Sequence, residues 1–339
     1  MSARIRIAID AMSGDLGPRV AIAAGQKFIA TFDDVDLLFV GDERLLPSLF
    51  SKKEIFPSDR IAFVNATQIV TMADDPVMAL RHKQDSSMWR AVESVKNNFA
   101  DACVSSGNTG ALLAISKHLL KTFPGIERPA ICKLMPTEKN NTYLLDLGAN
   151  INCSAEQLHQ FAIMGSVLAL SDVNTSPRVG LLNIGVEATK GTDIIQAAQI
   201  LLQRDSRLHY CGFVEANELF LGNMDVIVCD GFHGNIALKS SEGTARFIAK
   251  KLHYAFSKTW LHKLLGLLIL PLLNRLRAEL DPSMYDGASF LGLQKTVVKS
   301  HGNANQKAFM KALIVAREQV IQQIPAQIQQ QFLVTSTRP

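Results

Sequence analysis

No apolar stretch in the chain is long enough to cross a bilayer. The run Leu264–Leu273 is ten residues long, where a spanning helix needs about 20. Nor is there an excess of charge of one sign. Lysine and arginine number 35 against 31 acidic residues, a net charge of +4; that argues against a nucleic-acid partner and is compatible with an anionic substrate or an acidic partner. Five cysteines, Cys103, Cys132, Cys153, Cys211 and Cys229, form no C-x-x-C pair. An odd, scattered set in apolar surroundings reads as buried, inert thiols in a reducing compartment. A strand pattern begins within the first ten residues, leaving no room for a signal peptide, so the expected location is cytoplasmic. H-x-x-x-H spacing and Cys/His clusters are missing, which leaves no metal site to expect. Walker and G-x-G-x-x-G loops are missing too, as is G-x-S-x-G, which removes the common nucleotide folds and the nucleophile-elbow hydrolases. No internal repeat and no Pro-, Gly- or Ser-rich linker divides the 339 residues, so one α/β unit is expected over 1–339.

What is present alternates. Short apolar strands are expected at Arg4–Ile9, Val35–Val40, Arg60–Val64, Ala102–Ser105, Ile131–Leu134, Tyr143–Asp146, Val179–Ile184, Leu208–Gly212 and Val226–Cys229. Helices are expected from Pro18 to about Ala30 and over Ser86–Asn98, Thr109–Leu120, Ser154–Leu170, Thr192–Gln203 and Ile236–Ala255. The glutamine-rich end, Gln319–Gln331, reads as a helix that frays. Such alternation predicts an α/β fold with a doubly wound, mostly parallel sheet.

Ligands of such sheets bind beyond the carboxyl ends of the strands. Four loops there share small residues, glycine and Asn or Asp: Ser105–Gly110, Asp146–Asn150, Gly185–Gly191 and Gly231–Asn235. They are expected to converge on one edge. Ser105–Gly110 opens a helix, whose free amides with the hydroxyls of Ser106 and Thr109 and the amide of Asn108 suit an anion; Gly107 and Gly110 allow close approach. Lys190 is the one lysine in the four loops, either a solvated cation or a phosphate contact. His233 and His301 are either general bases or loop histidines with structural hydrogen bonds.

The ordered set of motifs resembles the bacterial phosphate acyltransferases of phospholipid synthesis, the PlsX family. It comprises Asp10-Ala11-Met12-Ser13-Gly14-Asp15, Arg81-His82-Lys83, Asp85–Met88, Ser105–Gly110, Asp146–Asn150, Lys190-Gly191, Gly212–Asn217, Asp230–Asn235, Tyr285–Ala288, Leu291-Gly292 and His301-Gly302, covering about residues 4–320. Departures from the family pattern, which has glycine there, stand at Ser13, Asp286 and Ala216, and Val186 replaces a glutamate. The resemblance implies an isocitrate dehydrogenase/phosphotransacetylase-like fold. It also implies transfer of a long acyl chain from acyl carrier protein to inorganic phosphate, without a cofactor, the acyl phosphate feeding a membrane glycerol-3-phosphate acyltransferase. On that reading Lys190, Asn235 and His233 are the catalytic group. Asp10, Gly14, Asp15, Ser106, Gly107, Asn108, Thr109, Gly110, Asp146, Asn150, Asp230, Gly234 and His301 line the phosphate or substrate site, and Arg81 and Lys83 meet the carrier protein or phosphate. A homodimer is implied. The stretch at about 256–279 is expected to protrude as an apolar helical hairpin, with Trp260, Leu264, Leu268 and Leu272 either dipping into a membrane leaflet or facing the dimer partner. Two rival readings are a metal- and nicotinamide-dependent β-decarboxylating dehydrogenase, which would need aspartates on a helix, and an acyl-binding module without turnover.

Overall fold

The computed structural model describes residues 4–50, 58–173, 175–257, 269 and 282–333. Among these, eleven strands form one sheet: β1 (Ile5–Asp10), β2 (Val35–Gly41), β3 (Ile61–Asn65), β4 (Ala102–Ser105), β5 (Ala130–Met135), β6 (Thr142–Leu145), β7 (Arg178–Leu182), β8 (His209–Val214), β9 (Val226–Val228), β10 (Ala288–Leu291) and β11 (Thr296–Lys299). Their order is β3-β2-β1-β4-β11-β10-β5-β6-β9-β7-β8. The expected hairpin at about 256–279, with Trp260, Leu264, Leu268 and Leu272, lies outside the described residues. Among the described residues no helix is long and apolar enough to span a membrane.

The sheet is mostly parallel within each half, but the halves run in opposite senses. β10 pairs antiparallel with both β11 and β5, and β5 pairs antiparallel with β6. Strands β1 to β5 and β11 therefore point one way, and β6 to β10 the other. This corrects the expectation that all the glycine-rich loops share an edge: those after β1, β4 and β11 lie at one edge, and those after β6, β7 and β9 at the opposite one. The strands are short, so the edges are close. Leu144 of β6 is two residues from Asp146, roughly 7 Å at strand rise.

The helices are α1 (Pro18–Thr31), α2 (Pro76–His82), α3 (Ser87–Lys96), α4 (Thr109–Leu120), α5 (Ala155–Ala169), α6 (Asp193–Arg204), α7 (Gly231–Ser257), α8 (Gln306–Ile321) and α9 (Ile324–Leu333). Their starts follow capping chemistry. Ser86, Asn108, Thr192 and Asn305 each accept a first-turn amide, and Ser154 with Gln157 completes a reciprocal capping box. One face of the sheet buries Ala8, Cys103, Ile131, Leu144, Ile227, Phe290 and Val297 under α3 and α4, with Ala237 and Leu238 of α7 packed against them. The other face packs against α5 in one half and against α1 and α8 in the other. The glutamine-rich end does not fray. It breaks at Gln323, where φ is 54°, and α9 docks through buried Ile324, Ile328 and Phe332. The segments missed in the sequence are α2, β10, β11 and the body of α8.

Candidate active site

At the first edge, Asp10 ends β1 fully buried. Its carboxylate accepts hydrogen bonds from Ser87 Oγ and Ser105 Oγ, both 2.6 Å long, tying β1 to α3 and β4. Burial pushes the Asp10 carboxyl up, against the hydrogen bonds from the serines. Gly14 has φ of +93° and abuts Ser106, so a side chain there would collide with the serine hydroxyl. Asp15 donates its backbone N–H to Gly302 O at 2.8 Å. The loops after β1, β4 and β11 thus form one surface containing Gly14, Asp15, Ser106, Gly107, His301 and Gly302.

The structure commits Asn108 to architecture. Its Oδ1 caps α4 through Ala111 N–H, and its Nδ2 donates to Met72 O and Asp74 O, each at 3.0 Å. Thr109 beside it is exposed, so the hydroxyl there, rather than the asparagine side chain, is open to a ligand. Lys83 is held too, by Asp74 at 2.6 Å and Ile69 O at 2.8 Å, whereas Arg81 is exposed.

At the opposite edge, Asp146 is fully buried and accepts from the amides of Ile131, Ala149 and Asn150 and from Asn150 Nδ2. Burial raises its carboxyl in spite of them. Asn150 gives its remaining donor to Pro129 O. These two residues fix the loop on which α7 rests; they do not point outward. Gly234 presses on the carbonyl oxygen of Asp146, and a methyl added at Gly148 would stand 3.7 Å from the Asn235 side chain. Asp230 caps α7 through His233 N–H at 2.8 Å and also holds His233 Nδ1 at 2.8 Å. A donor at Nδ1 leaves Nε2 as the free lone pair, and the ring is 66% exposed. Asn235 is exposed on the same turn.

Lys190 lies on the loop after β7. Its backbone bonds to Glu187 and Asn183, and its side chain is exposed. Cys211 is exposed, which corrects the expectation of five buried thiols. The other four are buried, and burial pushes the thiols of Cys103, Cys132 and Cys229 up and that of Cys153 to about 12. Among the described residues no group of His, Cys, Asp and Glu is arranged to hold a metal.

The two edges are joined by α7. Two turns beyond Asn235, Glu242 reaches Lys133 of β5 at 4.0 Å and pairs with Lys239 at 3.0 Å. Burial, the Lys239 charge and the Lys299 charge lower the His301 imidazole below its ordinary value, with Glu242 and Asp286 opposing. So α7 brings its Lys239–Glu242 turn to the His301 loop and Lys133, and with His233 and Asn235 on its first turn it outlines a candidate site on that sheet face. Sequence reading missed its floor. Lys299, at the end of β11, is 7% exposed, and Asp286 accepts from Ser300 Oγ and His301 N–H.

The chain as a whole is similar to known proteins. The chain is 56% identical over 332 residues to a phosphate acyltransferase of Cellvibrio japonicus, covering 98% of this chain and 99% of that one. It is 48% identical over 322 residues to the phosphate acyltransferase of Hydrogenovibrio crunogenus, covering 95% of each. A phosphotransacetylase from Streptococcus pyogenes shares the fold, with a TM-score of 0.63 at 17% identity over 95% of both chains. The fatty acid synthesis protein family matches residues 5–327, and with relatives this similar over nearly its whole length the chain belongs to that family, an acyltransferase of the phosphate acyltransferase group.

Proposed function

We propose that the chain transfers a long-chain acyl group from acyl carrier protein to inorganic phosphate. The observation that carries this reading is α7, which holds the Asp230-bound imidazole of His233 and the exposed Asn235 on its first turn and reaches the His301 loop and Lys133 with its Lys239–Glu242 turn. Phosphate at neutral pH is already nucleophilic, so the site must hold it against a thioester rather than activate it. A phosphate oxygen attacks the thioester carbonyl carbon, the C–S bond breaks, and the proton of hydrogen phosphate ends on the leaving thiol. His233 Nε2 carries that proton, and the Asn235 amide donates to the developing oxyanion. Lys190 and the Ser106–Gly110 turn meet the incoming dianion, and Arg81 faces the acidic carrier.

The test is phosphate-dependent release of free thiol from acyl-acyl carrier protein. Wild type releases it. Lys190→Ala loses about 2 kcal/mol of transition-state stabilisation, roughly 30-fold in kcat/KM, without loss of fold. No thiol release from wild type would end the reading.

Two partners follow from the same proposal. The chain is a cytoplasmic homodimer, and residues 256–279 attach it peripherally to the membrane, where a glycerol-3-phosphate acyltransferase consumes the acyl phosphate. The apolar run is flanked by Lys258, Lys263, Arg275 and Arg277, a composition suited to anionic headgroups. Wild type then co-sediments with anionic vesicles and Leu268→Glu does not, while soluble turnover is kept. Equal sedimentation of both sinks the anchor.

A further inference from the structure

The sheet registers align one row of residues across the sheet. Val40 pairs with Asp10, Asp10 with Ser105, Ser105 with Lys299, and Lys299 with Ala288. Ser289 pairs with Cys132, so the antiparallel register puts Lys133 beside Ala288; Lys133 pairs with Leu144, and Leu144 with Ile227. Residues in one row point to one face. Val40, Leu144 and Ile227 are buried in the core on the α7 side, and Ala288 packs partly buried against it. An apolar row is thus interrupted in its middle by Asp10, Ser105, Lys299 and Lys133, with the two lysines flanking the small side chain of Ala288.

Two neighbouring strand spacings separate the lysine backbones by about 10 Å. Ala288 leaves a partly open hollow between them, and the Lys239–Glu242 turn of α7 and the His301 loop stand over it. The Lys133 side chain is only 12% exposed, and its one described ion pair, with Glu242, is 4.0 Å long. Lys299 spends its described hydrogen bond on the Ser300 carbonyl. The carboxylates facing it are Asp10, Asp15 and Asp286. Asp10 is bonded to Ser87 and Ser105, and Asp286 to Ser300 and His301. These acids offset part of the desolvation of Lys299 without consuming its donors. A nearly dry pair of cations spaced around a hollow is built for a small dianion.

We propose that Lys133 and Lys299 form the seat of the phosphate, over Ala288, with Lys239 and His301 closing it from above. This rests on the acyl-transfer reading for the identity of the anion and deepens it. Lys190, exposed on the loop after β7, meets the phosphate on its way in; the seat holds it during attack.

The experiment uses the full chain with inorganic phosphate as the probe. Binding is measured by calorimetric titration without any acyl donor, and turnover by thiol release over a range of phosphate and of acyl-acyl carrier protein. Lys133→Met removes one cation, and Ala288→Val keeps both but fills the hollow; thermal melting confirms the fold of each. Each variant weakens phosphate binding at least tenfold and raises the phosphate KM by a similar factor, while the KM for the acyl donor stays within twofold. Unchanged phosphate binding in a folded Ala288→Val or Lys133→Met overturns the seat, as does a rise confined to the acyl-donor KM, or a wild type that binds no phosphate. If wild type binds phosphate and the variants lose it, but no thiol is released, the seat stands and the acyl-transfer reading falls.

Discussion

Lys299 is where chemistry and stability pull apart. Burial lowers its ammonium from 10.5 to about 8, against the charges of Asp286, Asp10 and Asp15. Below pH 8 the lysine is charged in both folded and unfolded chains, and the folded one bears the desolvation. At 1.36 kcal/mol per pKa unit that is about 3 kcal/mol. Between about pH 8 and 10.5 the unfolded chain holds a proton that the folded chain has shed, so wild-type stability rises with pH across that window. Lys299→Met is therefore expected to be more stable than wild type at pH 7, and the gap to close as pH approaches 10.5. Denaturant melts at several pH values check this; a gap that does not change with pH would show that Lys299 is not the group responsible. At this scale the sequence was legible in part. Asp10, Gly14, Ser106 and His301 fall on the ends of β1, β4 and β11 or the loops after them, and His233 falls on the first turn of α7. Asn108, Asp146 and Asn150 were legible as loop residues but not as inward-bonded ones, because a motif does not say which way a side chain turns. Lys133 and Lys299 were invisible as a pair, since only the register puts residues 166 positions apart in the chain on either side of one alanine.

Among the elements, α7 carries the most consequence. Its sequence expectation began at Ile236, five residues late, because Gly231 and Gly234 read as a loop. The helix starts at Gly231 because those glycines let it lie against the end of β6. A methyl at Gly234 would overlap the Asp146 carbonyl oxygen and come to 2.7 Å from Cys229 Sγ. Gly234→Ala should therefore shift the first turn of α7 and cost about 1–3 kcal/mol of stability as overpacking. It should also lower kcat more than a substitution at Gly243, where an added methyl meets nothing within 4 Å, because His233 and Asn235 move with the turn. Equal kcat for Gly234→Ala and Gly243→Ala would mean that the placement of that turn is not critical. Strands β10 and β11 escaped notice for a related reason. Each has four residues, too few for a period to declare itself, and Gly287 and Gly292 at positive φ bracket the first.

At the scale of the whole molecule, alternation was enough for the α/β class but not for strand direction. A hairpin such as β5–β6 and a parallel crossover present similar apolar runs, and only pairing tells them apart. The reversal turns a site expected along one edge into a candidate site across a face. Residues 244–252 are exposed throughout, including Phe247 and Ile248 at 59% and 52%, an apolar surface suited to the proposed homodimer. Sedimentation equilibrium should give twice the 37.1 kDa of one chain, and Phe247→Glu with Ile248→Glu should return it to one. A double variant that stays dimeric would move the interface elsewhere.

The length of α7 has a mechanical meaning. With 27 residues it is a rod of about 40 Å. One tip bears the imidazole and amide proposed to face the thioester; the other leads in the chain to Leu264–Leu273. A stiff rod turns a small tilt at one tip into a small reorientation at the other. A grip on the distal tip, by a second protomer or a lipid surface, is then a lever on the angle at which His233 and Asn235 address the carbonyl, so turnover and attachment share one moving part.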